Sequence, residues 1–102
     1  MQKNRKAGPD ETKTTPLIHL ELLEPGAHDV YIAGSFNEWQ PQATPMISLG
    51  SGKWVKELTL PTGRYEYRFV VDGEWFSDPK AKEVAPNPFG TLNSVLTVRA
   101  NA

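Results

Sequence analysis

Hydrophobic and polar residues alternate with a period of two along most of the chain, beginning after the first sixteen residues. The segment LIHLELL places Ile18, Leu20 and Leu22 on one face and His19 and Glu21 on the other. Because successive side chains of a β-strand point to opposite faces, this alternation predicts a strand with one face in a core.

The clearest alternation lies between the turn Pro61-Thr62-Gly63 and the dipeptide Asp72-Gly73. One face of this predicted strand carries Tyr65, Tyr67, Phe69 and Val71, and the other carries Glu66, Arg68 and Val70. The aromatic face is expected to point inward. Asp-Gly suits a type I′ turn, whose two central residues need positive φ, so residues 74–76 are predicted to fold back as a short strand.

Further strands are predicted at 29–34, 46–49, 54–60 and 91–98, with Pro- and Gly-containing turns between them. Residues 80–90 contain two prolines and no alternation, which predicts a stiff loop. Six to eight short strands indicate an all-β fold, an immunoglobulin-like antiparallel β-sandwich without a cysteine pair.

The first sixteen residues are polar and aperiodic, and we predict a disordered tail or linker at 1–16, followed by the sandwich at 17–102. Four basic and two acidic residues lie in the tail, which leaves seven basic and ten acidic residues, a net charge of −3, for the rest. A domain without a basic stripe is not expected to bind nucleic acid.

The composition limits the chemistry that the protein can perform and indicates its cellular location. There is no cysteine, which excludes disulfides, thiolate metal sites and a cysteine nucleophile. The basic residues at the N-terminus are followed by Ala7-Gly8-Pro9 rather than an apolar run, and no segment is apolar enough to span a membrane. We therefore expect a cytoplasmic protein with no membrane partner.

Catalytic and metal-binding patterns are weak. The acids Glu66, Asp72 and Glu74 cluster near one hairpin, but a chain of this size offers no second lobe to form a cleft, so we interpret them as a solvated rim. His19 and His28 have no ligand-spaced acidic partners. The sequence predicts no catalytic residue, no metal site and no cofactor, and therefore not an enzyme.

The three tryptophans differ in their surroundings. Trp54 lies within a predicted strand, and we expect its ring to pack in the structure, as we do for Phe36. Trp39 and Trp75 follow Asn-Glu and Gly-Glu in turns, where a ring either covers the end of a sandwich or remains available to a ligand. Taken singly, each of these two rings leaves both interpretations open.

Nearby polar residues favour a sugar ligand for the two turn tryptophans. A pyranose has a C–H face that an aromatic ring desolvates and a rim of hydroxyls that need hydrogen-bond partners. Arg68 lies on the outward face of the aromatic strand, and Thr91 and Asn93 share one face of the last strand. The alternative for Arg68 is an exposed salt bridge with an acidic neighbour.

Five motifs occur in the order of a known family: GSFNEW at 34–39, YEYRF at 65–69, VDGEW at 71–75, DP at 78–79 and FGTLN at 89–93. Together they resemble the glycogen-binding module of the β subunit of AMP-activated protein kinase, a family 48 carbohydrate-binding module. The resemblance implies an early-set β-sandwich that binds α-1,4-glucans such as glycogen, starch-type maltooligosaccharides or cyclodextrin.

The resemblance also implies roles for single residues. Trp39 and Trp75 match the sugar-stacking tryptophans, and Thr91 and Asn93 match hydroxyl partners. Arg68 stands where the family has a lysine, so the planar guanidinium group, with several N–H donors, replaces a compact ammonium group. Phe89 stands where the family has a leucine that enters the curve of the glucan. We expect binding with an altered preference for chain length or ring size.

Two alternatives to a free-standing glucan-binding module stay open. The sandwich could dock a kinase subunit or an amylolytic catalytic domain while its glucan site is weak or vestigial, with the N-terminal segment as a tether. It could also be one piece of an amylolytic enzyme.

Overall fold

The computed structural model describes residues 15–100, which form eight β-strands and one short 3₁₀ helix. The helix, Ser35–Asn37, follows the second strand. The strands are β1 (Leu17–Leu23), β2 (Val30–Gly34), β3 (Ile47–Gly50), β4 (Lys53–Thr59), β5 (Gly63–Val71), β6 (Glu74–Phe76), β7 (Glu83–Pro86) and β8 (Leu92–Val98).

The strands form two antiparallel sheets. The smaller sheet has the order β1-β4-β3, and the larger has the order β2-β5-β8-β7 with β6 added beside β5. β5 is the longest strand and organises the larger sheet. On one side it pairs with β2, and on the other its first half pairs with β8 and its last three residues with β6.

The core lies between the two sheets and is built by the faces that the alternation predicted. Ile32 and Phe69 of the larger sheet are fully buried, and they belong to one apolar cluster with Leu20, Leu22 and Trp54 of the smaller sheet. The predicted all-β antiparallel sandwich is thereby confirmed, as is the structural packing of Trp54.

The turn between β5 and β6 has the predicted conformation. Asp72 has φ 48° and Gly73 has φ 88°, the two positive values that a type I′ turn requires. The Asp72 carboxylate accepts hydrogen bonds from the backbone N–H groups of Asp29 and His28, and these bonds hold its pKa below the usual range. The turn is thus tied to the start of β2, and the β5–β6 hairpin is fixed.

The predicted loop at 80–90 is wrong in part, because β7 lies within it. Residues Glu83–Pro86 pair with β8, and Pro86, which has no backbone N–H, is the last residue of the strand. Proline is tolerated in edge strands, where one row of backbone groups faces solvent. Most of β7 is exposed, so a buried face imposed no alternation on its sequence.

The segment between β6 and β7 is anchored by buried polar groups. The Tyr67 hydroxyl donates to the Asp78 carboxylate at 2.5 Å, and the Asp78 backbone N–H donates to the Ser94 hydroxyl at 2.7 Å. All three residues are buried. A buried polar group without a partner costs free energy, so these satisfied bonds specify where the chain leaves β6.

Most of the predicted tail lies outside the described residues, and its disorder stays a prediction. Of its last two residues, Pro16 is buried and its carbonyl accepts a hydrogen bond from the Leu60 backbone N–H. Between residues 15 and 100, no three His, Cys, Asp or Glu side chains are arranged to hold a metal ion. No helix in that range has the length and hydrophobicity to cross a membrane.

Candidate functional site

All six residues predicted to bind sugar line one open cavity on the larger sheet, with a volume of about 630 Å³. Three further residues complete its wall. The lining residues are Trp39, Glu66, Arg68, Trp75, Asn87, Pro88, Phe89, Thr91 and Asn93.

The register of the larger sheet brings these side chains to one face. Residues directly opposite in an antiparallel pair share a face, and Trp75 of β6 lies opposite Val70 of β5. Val70 has the same parity along β5 as Arg68 and Glu66. The ring of Trp75 is therefore presented on the same outward face as the two charged side chains.

Trp39 reaches the cavity from the end of β2 through the 3₁₀ helix. Glu38 and Trp39 both have left-handed backbone conformations, with φ 58° and 59°. Such conformations cost non-glycine residues of order 1 kcal/mol each and persist only where the surroundings impose them. Here the Asn37 side chain accepts from the Gly34 N–H and donates to the Ile32 carbonyl, which fixes the turn before Trp39.

The three tryptophans differ in burial. The sequence predicted a packed ring for Trp54 and left both interpretations open for Trp39 and Trp75. Trp54 is 8% exposed within the core, whereas Trp75 is 38% exposed and Trp39 is half-buried at the cavity. The two turn rings therefore do not cover the end of the sandwich core. They border the cavity, where each presents part of its surface.

Arg68 supplies hydrogen-bond donors between the rings. Its Nη1 donates to the Thr91 hydroxyl at 3.3 Å and its Nη2 to the Trp75 carbonyl at 3.4 Å. Both bonds are long for N–H···O geometry. Nε has no hydrogen-bond partner, and Arg68 forms no salt bridge within residues 15–100. The alternative assignment of Arg68 to an exposed salt bridge is not observed.

Phe89 forms the exposed rim of the cavity. Its residue surface is 87% exposed, the highest among the exposed large hydrophobic residues of the described chain. It lies in a tight turn in which the Asn87 N–H donates to the Thr91 carbonyl and the Gly90 N–H donates to the Asn87 carbonyl. Gly90 has φ 83°, a conformation that glycine adopts without steric cost.

Asn93 is buried at the base of the cavity. Its Nδ2 donates to Glu66 at 2.9 Å, and its Oδ1 accepts from Asn87 at 3.0 Å. One N–H and one lone pair of the Asn93 amide remain outside these two bonds. The amide of Asn93 and the guanidinium of Arg64 stabilise the Glu66 carboxylate and hold its pKa below the usual range.

Sequence reasoning missed Glu66 and Asn87 as residues of the site. Glu66 was assigned to a solvated rim, but it lines the cavity and shares a strand face with Arg68. Its parity with Arg68 was the available signal. Asn87 lies between two prolines in a segment without alternation, and its contact with Asn93 arises from the pairing of β7 with β8.

A second cavity of similar volume lies beside β1 and the segment after β6, and its chemistry differs. No tryptophan lines it. Its charged lining residues include Glu21, Lys80, Lys82, Glu83 and Arg99. The cavity on the larger sheet is therefore the stronger candidate for a ligand that needs aromatic surface.

Comparison with known proteins identifies the family of the chain. A family model described as the glycogen recognition site of AMP-activated protein kinase matches residues 22–102. The chain is 35% identical over 74 residues to the pig (Sus scrofa) 5′-AMP-activated protein kinase subunit beta-1, covering 72% of this chain and 57% of that protein. It is 38% identical over 74 residues to the human (Homo sapiens) beta-2 subunit, covering 72% of this chain and 26% of that protein.

The fold also occurs in a solved structure of a maltogenic amylase from S. marinus, with a TM-score of 0.72 and 20% identity over 85% of this chain and 14% of that one. At this identity the likeness concerns the fold. The present chain spans less than two thirds of each relative named here. On the match of the family model, the chain belongs to the glycogen recognition site family of AMP-activated protein kinase, a family of non-catalytic carbohydrate-binding modules.

Proposed function

We propose that this domain binds α-1,4-linked glucans, including glycogen, maltooligosaccharides and cyclodextrin, in the cavity on the larger sheet. The observation that carries the proposal is that two tryptophan rings and the polar side chains of Arg68, Thr91 and Asn93 line one open cavity. Trp39 and Trp75 are proposed as stacking platforms. Arg68, Thr91 and Asn93 are proposed as partners of the sugar hydroxyls.

The proposed chemistry follows from the two surfaces of a glucose unit. Its C–H face loses contact with water on an indole ring, and its hydroxyls keep hydrogen bonds by pairing with polar side chains at the ring edge. Arg68 has N–H groups beyond its two long internal bonds, so it can donate to a hydroxyl without losing a strong partner.

The shape of the cavity favours a chain of several glucose units over a single enclosed sugar. Its volume of about 630 Å³ lies within the range typical of small-molecule sites, but the cavity is partly open to solvent. Shallow sites leave part of the ligand solvated, and we expect a dissociation constant of roughly micromolar to millimolar. Phe89 on the rim and Arg68 on the floor are proposed to set the preference for chain length or ring size.

The proposal is tested by titrating the protein with β-cyclodextrin and maltoheptaose while following its indole N–H signals by NMR. The three tryptophans give three internal reporters. Saturable shifts are expected for Trp39 and Trp75, with little change for Trp54, which lies in the core. Cellohexaose, a β-linked glucan, serves as the control ligand. If neither α-glucan produces a saturable shift, the proposed function is wrong.

A second candidate function is docking to a kinase subunit or to an amylolytic catalytic domain. The relatives are subunits of a kinase, and the outer surface of the smaller sheet exposes Leu23, Ile47 and Leu49. Sedimentation of the protein with a kinase catalytic subunit tests this candidate. Ile47→Lys is expected to abolish a complex formed through this surface and to leave glucan binding intact.

The cytoplasmic location is retained as a prediction from the sequence.

A further inference from the structure

The side chain of Asn87 uses its full hydrogen-bonding capacity at the rim of the cavity. Its Oδ1 accepts from the backbone N–H groups of Phe89 at 2.9 Å and Thr91 at 3.1 Å. Its Nδ2 donates to the Thr91 hydroxyl at 2.7 Å and to Asn93 Oδ1 at 3.0 Å. These four bonds exhaust the two lone pairs and two N–H groups of an amide side chain.

The orientation of both amides in this chain of bonds is fixed from its two ends. At one end the Glu66 carboxylate can only accept, so Asn93 must turn its Nδ2 toward it and its Oδ1 toward Asn87. At the other end the N–H groups of Phe89 and Thr91 can only donate, so they require Asn87 Oδ1. Both ends demand the same arrangement, and neither amide can flip without losing bonds.

The bonds from Asn87 also determine what the Thr91 hydroxyl can offer a ligand. Its oxygen accepts from Asn87 Nδ2 at 2.7 Å and from Arg68 Nη1 at 3.3 Å. A hydroxyl has two lone pairs and one hydrogen, so both lone pairs are occupied and the hydrogen remains to be donated. Thr91 is exposed at the cavity, and its hydroxyl is thus presented as a donor.

We propose that Asn87 is a positioning residue for glucan binding, which acts through Phe89 and Thr91 rather than through a hydrogen bond of its own to the glucan. Its Oδ1 holds the exposed turn that carries Phe89, and its Nδ2 sets Thr91 as a donor toward a sugar oxygen. The inference rests on the proposed function of the same cavity. Neither family motif nor strand period assigns this role to Asn87.

Two substitutions separate the two halves of the role. Asn87→Ala removes all four side-chain bonds. Asn87→Asp keeps acceptors for the Phe89 and Thr91 N–H groups, but its second oxygen accepts the Thr91 hydroxyl hydrogen and repels Asn93 Oδ1. Ser48→Ala is the matched control, because Ser48 also accepts from a backbone N–H two residues ahead, that of Gly50, in the smaller sheet.

The measurements are amide hydrogen exchange in the free protein and titration with β-cyclodextrin and maltoheptaose, with thermal melting to verify folding. Asn87→Ala is expected to expose the Phe89 and Thr91 amides to exchange and to weaken binding about tenfold, as the loss of one or two hydrogen bonds would. Asn87→Asp is expected to keep the amides protected and still weaken binding. Ser48→Ala is expected to bind as the wild type does.

The outcomes are distinguishable. A folded Asn87→Ala variant with wild-type affinity overturns the positioning role, and full affinity in Asn87→Asp overturns the role of the amide donors. If the wild-type protein itself binds neither glucan, the proposed function is refuted and the inference falls with it.

Discussion

Replacing Trp75 and Trp54 separately with alanine distinguishes a ring that binds from a ring that packs. An aromatic side chain buries roughly 150–250 Å² in a core, and at about 25 cal/mol per Å² this corresponds to about 4–6 kcal/mol as an upper estimate. Trp54 is 8% exposed, so nearly all of this area is lost in Trp54→Ala. We expect a loss of about 3–5 kcal/mol in the free energy of unfolding.

Trp75 is 38% exposed, and part of its covered surface lies beside Val70 on the outward face of the sheet rather than in the core. The expected loss of folding free energy for Trp75→Ala is therefore smaller, about 1–2 kcal/mol. If the ring is a stacking platform, its removal weakens glucan binding by at least about 2 kcal/mol, or roughly thirtyfold.

The assay pairs urea denaturation with calorimetric titration of β-cyclodextrin for each variant. Trp54→Ala should lower the denaturation midpoint strongly and, at temperatures where it is folded, bind with nearly wild-type affinity. Trp75→Ala should show the reverse, and Trp39→Ala should resemble it. The reasoning is refuted if Trp75→Ala loses as much stability as Trp54→Ala while its affinity remains unchanged.

Two further predictions concern close packing and charge. Gly34→Ala is expected to lower the melting temperature, because the added Cβ would lie 2.7 Å from the backbone oxygen of Glu66. It should also weaken glucan binding, since Gly34 begins the turn that leads to Trp39. An unchanged melting temperature would contradict this. Hydrogen bonds to Glu21, the larger cause, and to Glu57 raise the pKa of His19 above its usual value of 6.5. The stability that these bonds provide is therefore complete below pH 6.5 and is lost as the pH rises through the folded-state pKa. Between pH 6.5 and the folded-state pKa of His19, the melting temperature should fall in the wild type and fall less in His19→Gln. Equal pH profiles of the two proteins would exclude the effect.

The sequence was sufficient for the features that a repeating pattern encodes. Alternation identified the inward face of β5, because Tyr67, Phe69 and Val71 on that face are buried. The Asp72-Gly73 turn followed from backbone sterics alone. β7 escaped detection because an exposed edge strand has no buried face to impose a pattern, and Pro86 argued against a strand.

The site was predictable in its aromatic part and less so in its polar part. Trp39 and Trp75 were identifiable because a tryptophan in a polar turn is unusual. Glu66 and Asn87 join the site through Asn93, and that contact depends on β8 lying between β5 and β7. Strand order is a tertiary property, so a local pattern in the sequence cannot report it.

The segments that carry Trp39 and Phe89 are stabilised in the same way, by an asparagine side chain. The amide of Asn37 bonds backbone groups before Trp39, and the amide of Asn87 bonds backbone groups around Phe89. An amide side chain can bond both donors and acceptors of the backbone where strand pairing ends. Each group that becomes ordered on binding loses conformational entropy, which lowers the affinity. Loops that are already fixed therefore bind more tightly than mobile loops with the same contacts. The affinity of this site should therefore respond to the two asparagines as well as to the rings themselves.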